Sequence, residues 1–136
     1  MKRPILGYTL SCLLLFMGCG HRQSIKINPN EKTSISFVDT LVDLGHFDNV
    51  KEEIQKCNFE FTNTGNNPLV IYKVEPSCHC TTVDYPHEPI EAGDVGKLKL
   101  TIDAGIGHGD VRYTVLVYTN TKDSPRKLIV QGFIDN

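Results

Sequence analysis

No tryptophan occurs in this chain, and aromatic residues make up only 8% of it. The buried Trp that packs on the inter-sheet disulfide of antibody domains therefore has no counterpart. Nor does any cysteine pair have antibody-like spacing. No stretch carries a convincing helical period of apolar residues, which argues against a helical core. A basic patch with interleaved aromatics is also missing, so nothing points to nucleic acid. No serine stands in a nucleophile-elbow context, which leaves a hydrolase triad without support. Thioredoxin-like enzymes place a C-x-x-C pair at a helix start in a βαβ setting, and this chain has neither. Gly105-Ile106-Gly107-His108-Gly109 is glycine-rich, but no helix follows it to cradle a phosphate, so it reads as a strand connection. Asp43, Asp48, Glu52 and Glu53 fall in a polar connection and read as a solvated face rather than as acid/base catalysts. His46 and His108 lie beside glycines in loops and receive no role.

The N-terminus carries an address. Lys2 and Arg3 precede a mostly apolar run from Ile5 to Met17. That run is too short to span a bilayer as a stable helix but suits a secretory signal. It ends in Phe16-Met17-Gly18-Cys19, which is similar to a bacterial lipobox. Phe16 stands where leucine is usual, and an Ala-x-Ala-like site for ordinary cleavage is absent. The expected layout is a signal peptide over residues 1–18, then a lipidated Cys19 and flexible tether over 19–34, then one domain over 35–136. The tether is polar, contains Pro29 and shows no apolar period. Gly20-His21-Arg22-Gln23 lacks an acidic run, which favours a periplasm-facing anchor in the cell envelope. The signal takes two of the 14 basic residues and none of the 16 acidic ones, so the mature chain is more acidic than the whole. With no amphipathic membrane helix in view, attachment to the membrane rests on the lipid.

From Ile35 onward the pattern is β. Ile35 and Phe37 alternate with serines; Cys57, Phe59 and Phe61 alternate with polar residues; Leu98, Leu100 and Ile102 alternate with Lys97, Lys99 and Thr101. Val111 to Tyr118 and Leu128 to Ile134 are further runs rich in β-branched and aromatic residues. Period-two alternation sets one face of each strand in a core and the other in water. Turn residues separate the runs, notably Asn63 to Pro68, Glu91 to Asp94 and Asn120 to Pro125. Several short strands at this spacing indicate an all-β, immunoglobulin-like antiparallel β-sandwich. Ile71 and Val74 are three apart, so both cannot face one core on a regular strand. Either a β-bulge near Tyr72 or Lys73 reconciles them, or Val74 faces a second apolar surface.

Ser77-Cys78-His79-Cys80-Thr81 is the chemically pointed stretch. Besides Cys19, and Cys12 within the signal, the cysteines are Cys57, Cys78 and Cys80, an odd number for an oxidising compartment. On an extended segment Cys78 and Cys80 project to one face with Cα atoms about 6–7 Å apart, at the upper edge of disulfide geometry. Three readings stay open. The two could form a strained, easily reduced disulfide with a redox role. They could hold Cu or Zn, with His87 or Cys57 completing the site and His79 joining if the segment turns. Or one pairs with Cys57 while the other is packed, or all three are buried as small apolar residues.

Phe59-x-Phe61-x-Asn63-x-Gly65, Pro68-Leu69-x-Ile71-x-x-Val74 and Ser77-Cys78-His79-Cys80-Thr81 together resemble the bacterial domain-of-unknown-function 1573 family. Pro89-Ile90-x-Ala92-Gly93-x-x-Gly96, a Gly109-led strand, Thr119-Asn120 and Gln131-Gly132 continue the likeness, which covers about Ile35 to Ile134. The usual signature has glycine where this chain has His79, and Ala92 replaces a frequent proline. The resemblance implies an immunoglobulin-like module similar to ASPM–SPD-2–Hydin domains, often carried on envelope lipoproteins, with no established activity. Residues and resemblance together lead us to expect a non-enzymatic, lipid-anchored module that presents strand edges and loops to another envelope protein or a glycan. A thiol-dependent function at Cys78 and Cys80 is the alternative.

Overall fold

The computed structural model describes residues 28–135, apart from 29, 49, 52–53 and 106. The signal and Cys19 lie outside the described residues. Eight strands follow in order: β1 (Ile35–Phe37), β2 (Leu41–Asp48), β3 (Ile54–Asn63), β4 (Ile71–Pro76), β5 (Thr81–Asp84), β6 (Val95–Asp103), β7 (Gly109–Thr119) and β8 (Arg126–Asp135). They form two four-stranded sheets, β1-β3-β6-β5 and β2-β8-β7-β4.

The alternating runs explain the layering. In β6, Leu98, Leu100 and Ile102 are buried while Lys97 and Lys99 reach solvent. Phe59 and Phe61 on β3 point the same way, and Val115, Val117, Leu128 and Val130 meet them from the other sheet. Burying a side chain of this size stabilises by roughly 1.5–3 kcal/mol. A smaller cluster of Phe47, Ala104 and Ile134 closes one end.

The expected sandwich is present, and one of its strand pairs is parallel. The first sheet is antiparallel throughout, but β2 runs parallel to β8. The link from β1 to β2 is only Val38–Thr40, and it carries the chain from the first sheet into the second, beside the last strand. Strand β2 also places Asp43, His46 and Asp48 in a strand rather than in a connection or loop. Its period is broken by a register shift between Asp43 and His46, where Gly45 sits at φ 68°. A positive φ costs glycine nothing, and the extra residue moves Phe47 onto the buried face. The bulge in β4 is present too, between Ile71 and Lys73.

Two buried asparagines seal the other end. Asn63 Oδ1 accepts from the Thr33 hydroxyl at 2.8 Å and from Gly65 N–H at 3.1 Å. Its Nδ2 donates to Asn67 O at 2.8 Å and Ile90 O at 2.9 Å. Asn120 Nδ2 donates to Pro68 O and Glu31 O, and its Oδ1 accepts from Val70 N–H. The chain is thus docked from Glu31 on, ahead of β1. Gly65 is required here because a Cβ would overlap Thr33 Oγ1, and Gly96 because a Cβ would run into the Phe61 ring. The Phe-x-Phe-x-Asn-x-Gly pattern is therefore a packing and sealing device.

Candidate functional site at the Ser77–Cys80 turn

Strand β4 belongs to one sheet and β5 to the other, so residues 77–80 form the crossing between them. Both ends of the crossing are pinned. Ser77 N–H donates to Thr114 O at 2.8 Å, and Ser77 Oγ accepts from Thr114 N–H at 3.0 Å. On the far side Asp103 N–H donates to Cys80 O at 2.8 Å. Within the turn Thr81 N–H donates to Cys78 O at 3.1 Å. Serine at this position supplies the hydroxyl that finishes the β7 ladder.

The turn draws the two cysteines together. Their Cα atoms are 5.1 Å apart, and Cys78 and Cys80 are joined as a disulfide. The expected separation of an extended segment is shortened because the backbone curls here. Cys80 N–H donates to Cys78 Sγ at 3.1 Å, and Cys80 Sγ lies 3.8 Å from the Thr81 hydroxyl. Both cysteines are half-buried and His79 between them is exposed. A crosslink with sequence separation 2 is a poor staple. The chain-entropy model assigns it about 1.6 kcal/mol, against about 3 kcal/mol for a 15-residue loop.

A groove of about 500 Å³ opens beside the turn, lined by Val74, Pro76, Ser77, Cys78, His79 and Leu116 among others. Glu75 stands at its rim. The Lys73 ammonium, and then the Tyr118 hydroxyl, hold its carboxyl below the ordinary value. Lys73 also lies 5.8 Å over the Tyr118 ring.

The other residues of interest are elsewhere. Cys57 is a free thiol on β3, partly buried against the core, and burial pushes its pKa up. His87 is exposed and packs on the Tyr85 ring at 4.5 Å, outside the residues lining the groove. Among the described residues no group of three or more His, Cys, Asp or Glu side chains is placed to hold a metal ion. Sequence reasoning missed Thr114 and Leu116. Their signal was their outward phase on β7, opposite to buried Val115 and Val117.

Two stacked sheets, no helix among the described residues and a half-exposed disulfide at a crossing turn define an immunoglobulin-like β-sandwich domain. Known structures of this shape bear that out. A protein of unknown function from Porphyromonas gingivalis W83 superposes with TM-score 0.67 at 19% identity, over 82% of this chain and 51% of that one. The ASH/PapD-like domain 7 of human CEP192 gives 0.58 at 12% identity, over 88% and 97%. The E. coli chaperone DraB gives 0.54 at 11%, over 76% and 55%. At these identities the likeness is one of fold, and this chain spans about half of the Porphyromonas chain. No curated protein sequence matches it significantly. The profile described as "Protein of unknown function (DUF1573)" matches residues 35–134, and the chain belongs to that family.

Proposed function

We propose that this chain is a non-enzymatic interaction module of the bacterial cell envelope, tethered through a lipid on Cys19 and facing the periplasm. Its β4-side groove receives an extended segment of another envelope protein. The observation that carries this reading is the position of β4. It pairs with β7 on one side and with no strand on the other among the described residues, and its residues Val74 to Pro76 line the groove. Unpaired backbone groups on a strand edge are satisfied in register by another polypeptide, with side-chain pockets supplying selectivity. A glycan offers no such ladder. Of the other edge strands, β1 and β5 are shorter, with 3 and 4 residues, and β2 is interrupted by the bulge between Asp43 and His46.

The test uses the full chain in cells, with a photoreactive residue in place of Leu116 on the groove or of Asn58, exposed on the opposite sheet. A discrete protein adduct from position 116, absent from position 58, is expected. Equal labelling from both positions, adducts to glycan only, or no adduct would refute the groove as the interaction face. The anchor is tested separately: Cys19→Ser should move the protein out of the membrane fraction, and unchanged fractionation refutes lipidation.

A further inference from the structure

One of the disulfide cysteines, Cys78, lines the groove, and that placement gives the turn a chemical role. We propose that Cys78 and Cys80 form an exchangeable disulfide that trades electrons with a dithiol on the protein segment seated in the groove, with Cys78 as the exchanging sulfur and Cys80 as the resolving one. The inference rests on the reading of the groove as an interaction face.

Four observations carry it. Cys78 lines the groove and Cys80 does not, so an incoming thiolate meets Cys78 first. The Cys80 N–H aimed at Cys78 Sγ is a donor that stabilises negative charge on that sulfur. The Thr81 hydroxyl stands beside Cys80 Sγ, where the first leaving thiolate forms. Finally, the backbone hydrogen bonds at Ser77, Thr81 and Asp103 do not involve the sulfurs. They hold the turn in place while the S–S bond is open, so the two sulfurs stay close and reclosure is intramolecular.

The step balances as follows. A partner thiolate attacks Cys78 Sγ, and the S–S bond breaks. Its electron pair leaves on Cys80, which takes a proton from water beside the Thr81 hydroxyl. The partner's second thiol loses its proton and attacks the partner sulfur of the mixed disulfide. Cys78 departs as a thiolate held by the Cys80 N–H and is then protonated. Two electrons and two protons pass from the partner dithiol to this chain, and a partner disulfide is formed. In the reverse sequence the Cys78 thiolate attacks a partner disulfide, Cys80 then attacks Cys78 Sγ, the partner leaves as a dithiol, and the Cys78–Cys80 bond re-forms.

The test uses the full chain extracted in detergent, as the parent and as Cys78→Ser and Cys80→Ser variants. Two probes are offered as disulfides: glutathione disulfide, and a strand-forming peptide whose single cysteine is activated as a mixed disulfide. Circular dichroism confirms that each variant is folded. Cys80→Ser should trap either probe at least tenfold faster than Cys78→Ser, and mass spectrometry should place the adduct on Cys78. Adding Leu116→Glu to Cys80→Ser should slow trapping of the peptide severalfold more than trapping of glutathione. Equal rates for the two cysteine variants, or a parent disulfide that glutathione buffers leave intact, overturns the exchange role. If Cys80→Ser traps both probes with Leu116→Glu having no effect, exchange stands and the groove reading fails.

Discussion

Replacing Asn63 by Ala tests the account of the sealed end most severely. The side chain is fully buried and makes four hydrogen bonds, to Thr33, Gly65, Asn67 and Ile90. Truncation strands the Thr33 hydroxyl in the interior and leaves the Ile90 carbonyl with the Leu69 N–H as its remaining donor, while water can reach the more exposed Gly65 and Asn67. The stranded hydroxyl costs about 1–3 kcal/mol and each of the other lost bonds about 0.5–1.5 kcal/mol, so the expected total is about 3–5 kcal/mol. In a domain of this size that lowers Tm by roughly 12–40 °C, at about 4–8 °C per kcal/mol. Asn63→Asp sharpens the test, since it keeps the shape and the acceptor for Thr33 but turns a carboxylate toward two carbonyl oxygens. Its folded pKa must then be raised, so its deficit should shrink as pH falls and the group protonates. The assay is urea unfolding followed by circular dichroism at pH 7 and pH 4. An Asn63→Ala variant within about 1 kcal/mol of the parent would refute the reasoning, because the net value of even one such bond is about that large.

Four further outcomes are expected. Phe59→Ala and Phe61→Ala, at 1% and 0% exposure, should each cost about 3–5 kcal/mol in chemical denaturation; an unchanged midpoint removes that ring from the core. Gly96→Ala should destabilise by about 1–3 kcal/mol, because the new methyl presses on the enclosed Phe61 ring; calorimetry showing a neutral change would mean the ring moves freely. The Asp43 carboxyl is held below its ordinary value by the Gln131 amide and then by Gly45 N–H. A lowered folded pKa gives stability that is present above the unfolded value and lost as pH falls through the folded one, so Asp43 should contribute to a decline below about pH 4 that Asp43→Asn diminishes; identical acid limbs for the two proteins would contradict this. Cys57, with its thiol pKa raised by burial, should alkylate slowly at pH 8 while the chain is folded and rapidly in urea, and equal rates would place it at the surface.

The sequence by itself determined the sandwich, because alternation is a local property. Leu98, Leu100 and Ile102 bury the same face wherever the strand is set, and the runs around Phe59, Val111 to Tyr118 and Leu128 to Ile134 do the same. The spacing of Ile71 and Val74 left a bulge and a second apolar surface as alternatives, and the structure has the bulge. Strand β2 was hidden because Gly45 and its register shift break the period that alternation needs. Its parallel pairing was hidden because direction depends on which strand lies beside it, and β8 is almost the whole chain away. Only the tertiary structure decided how near Cys78 and Cys80 lie to each other. Two cysteines on an extended strand, on a metal or in a disulfide share one sequence. What separates these states is the curl of residues 77–80 as the chain crosses between sheets, pinned by Thr114 on one side and Asp103 on the other. Those partners come from distant strands, and no local pattern specifies them.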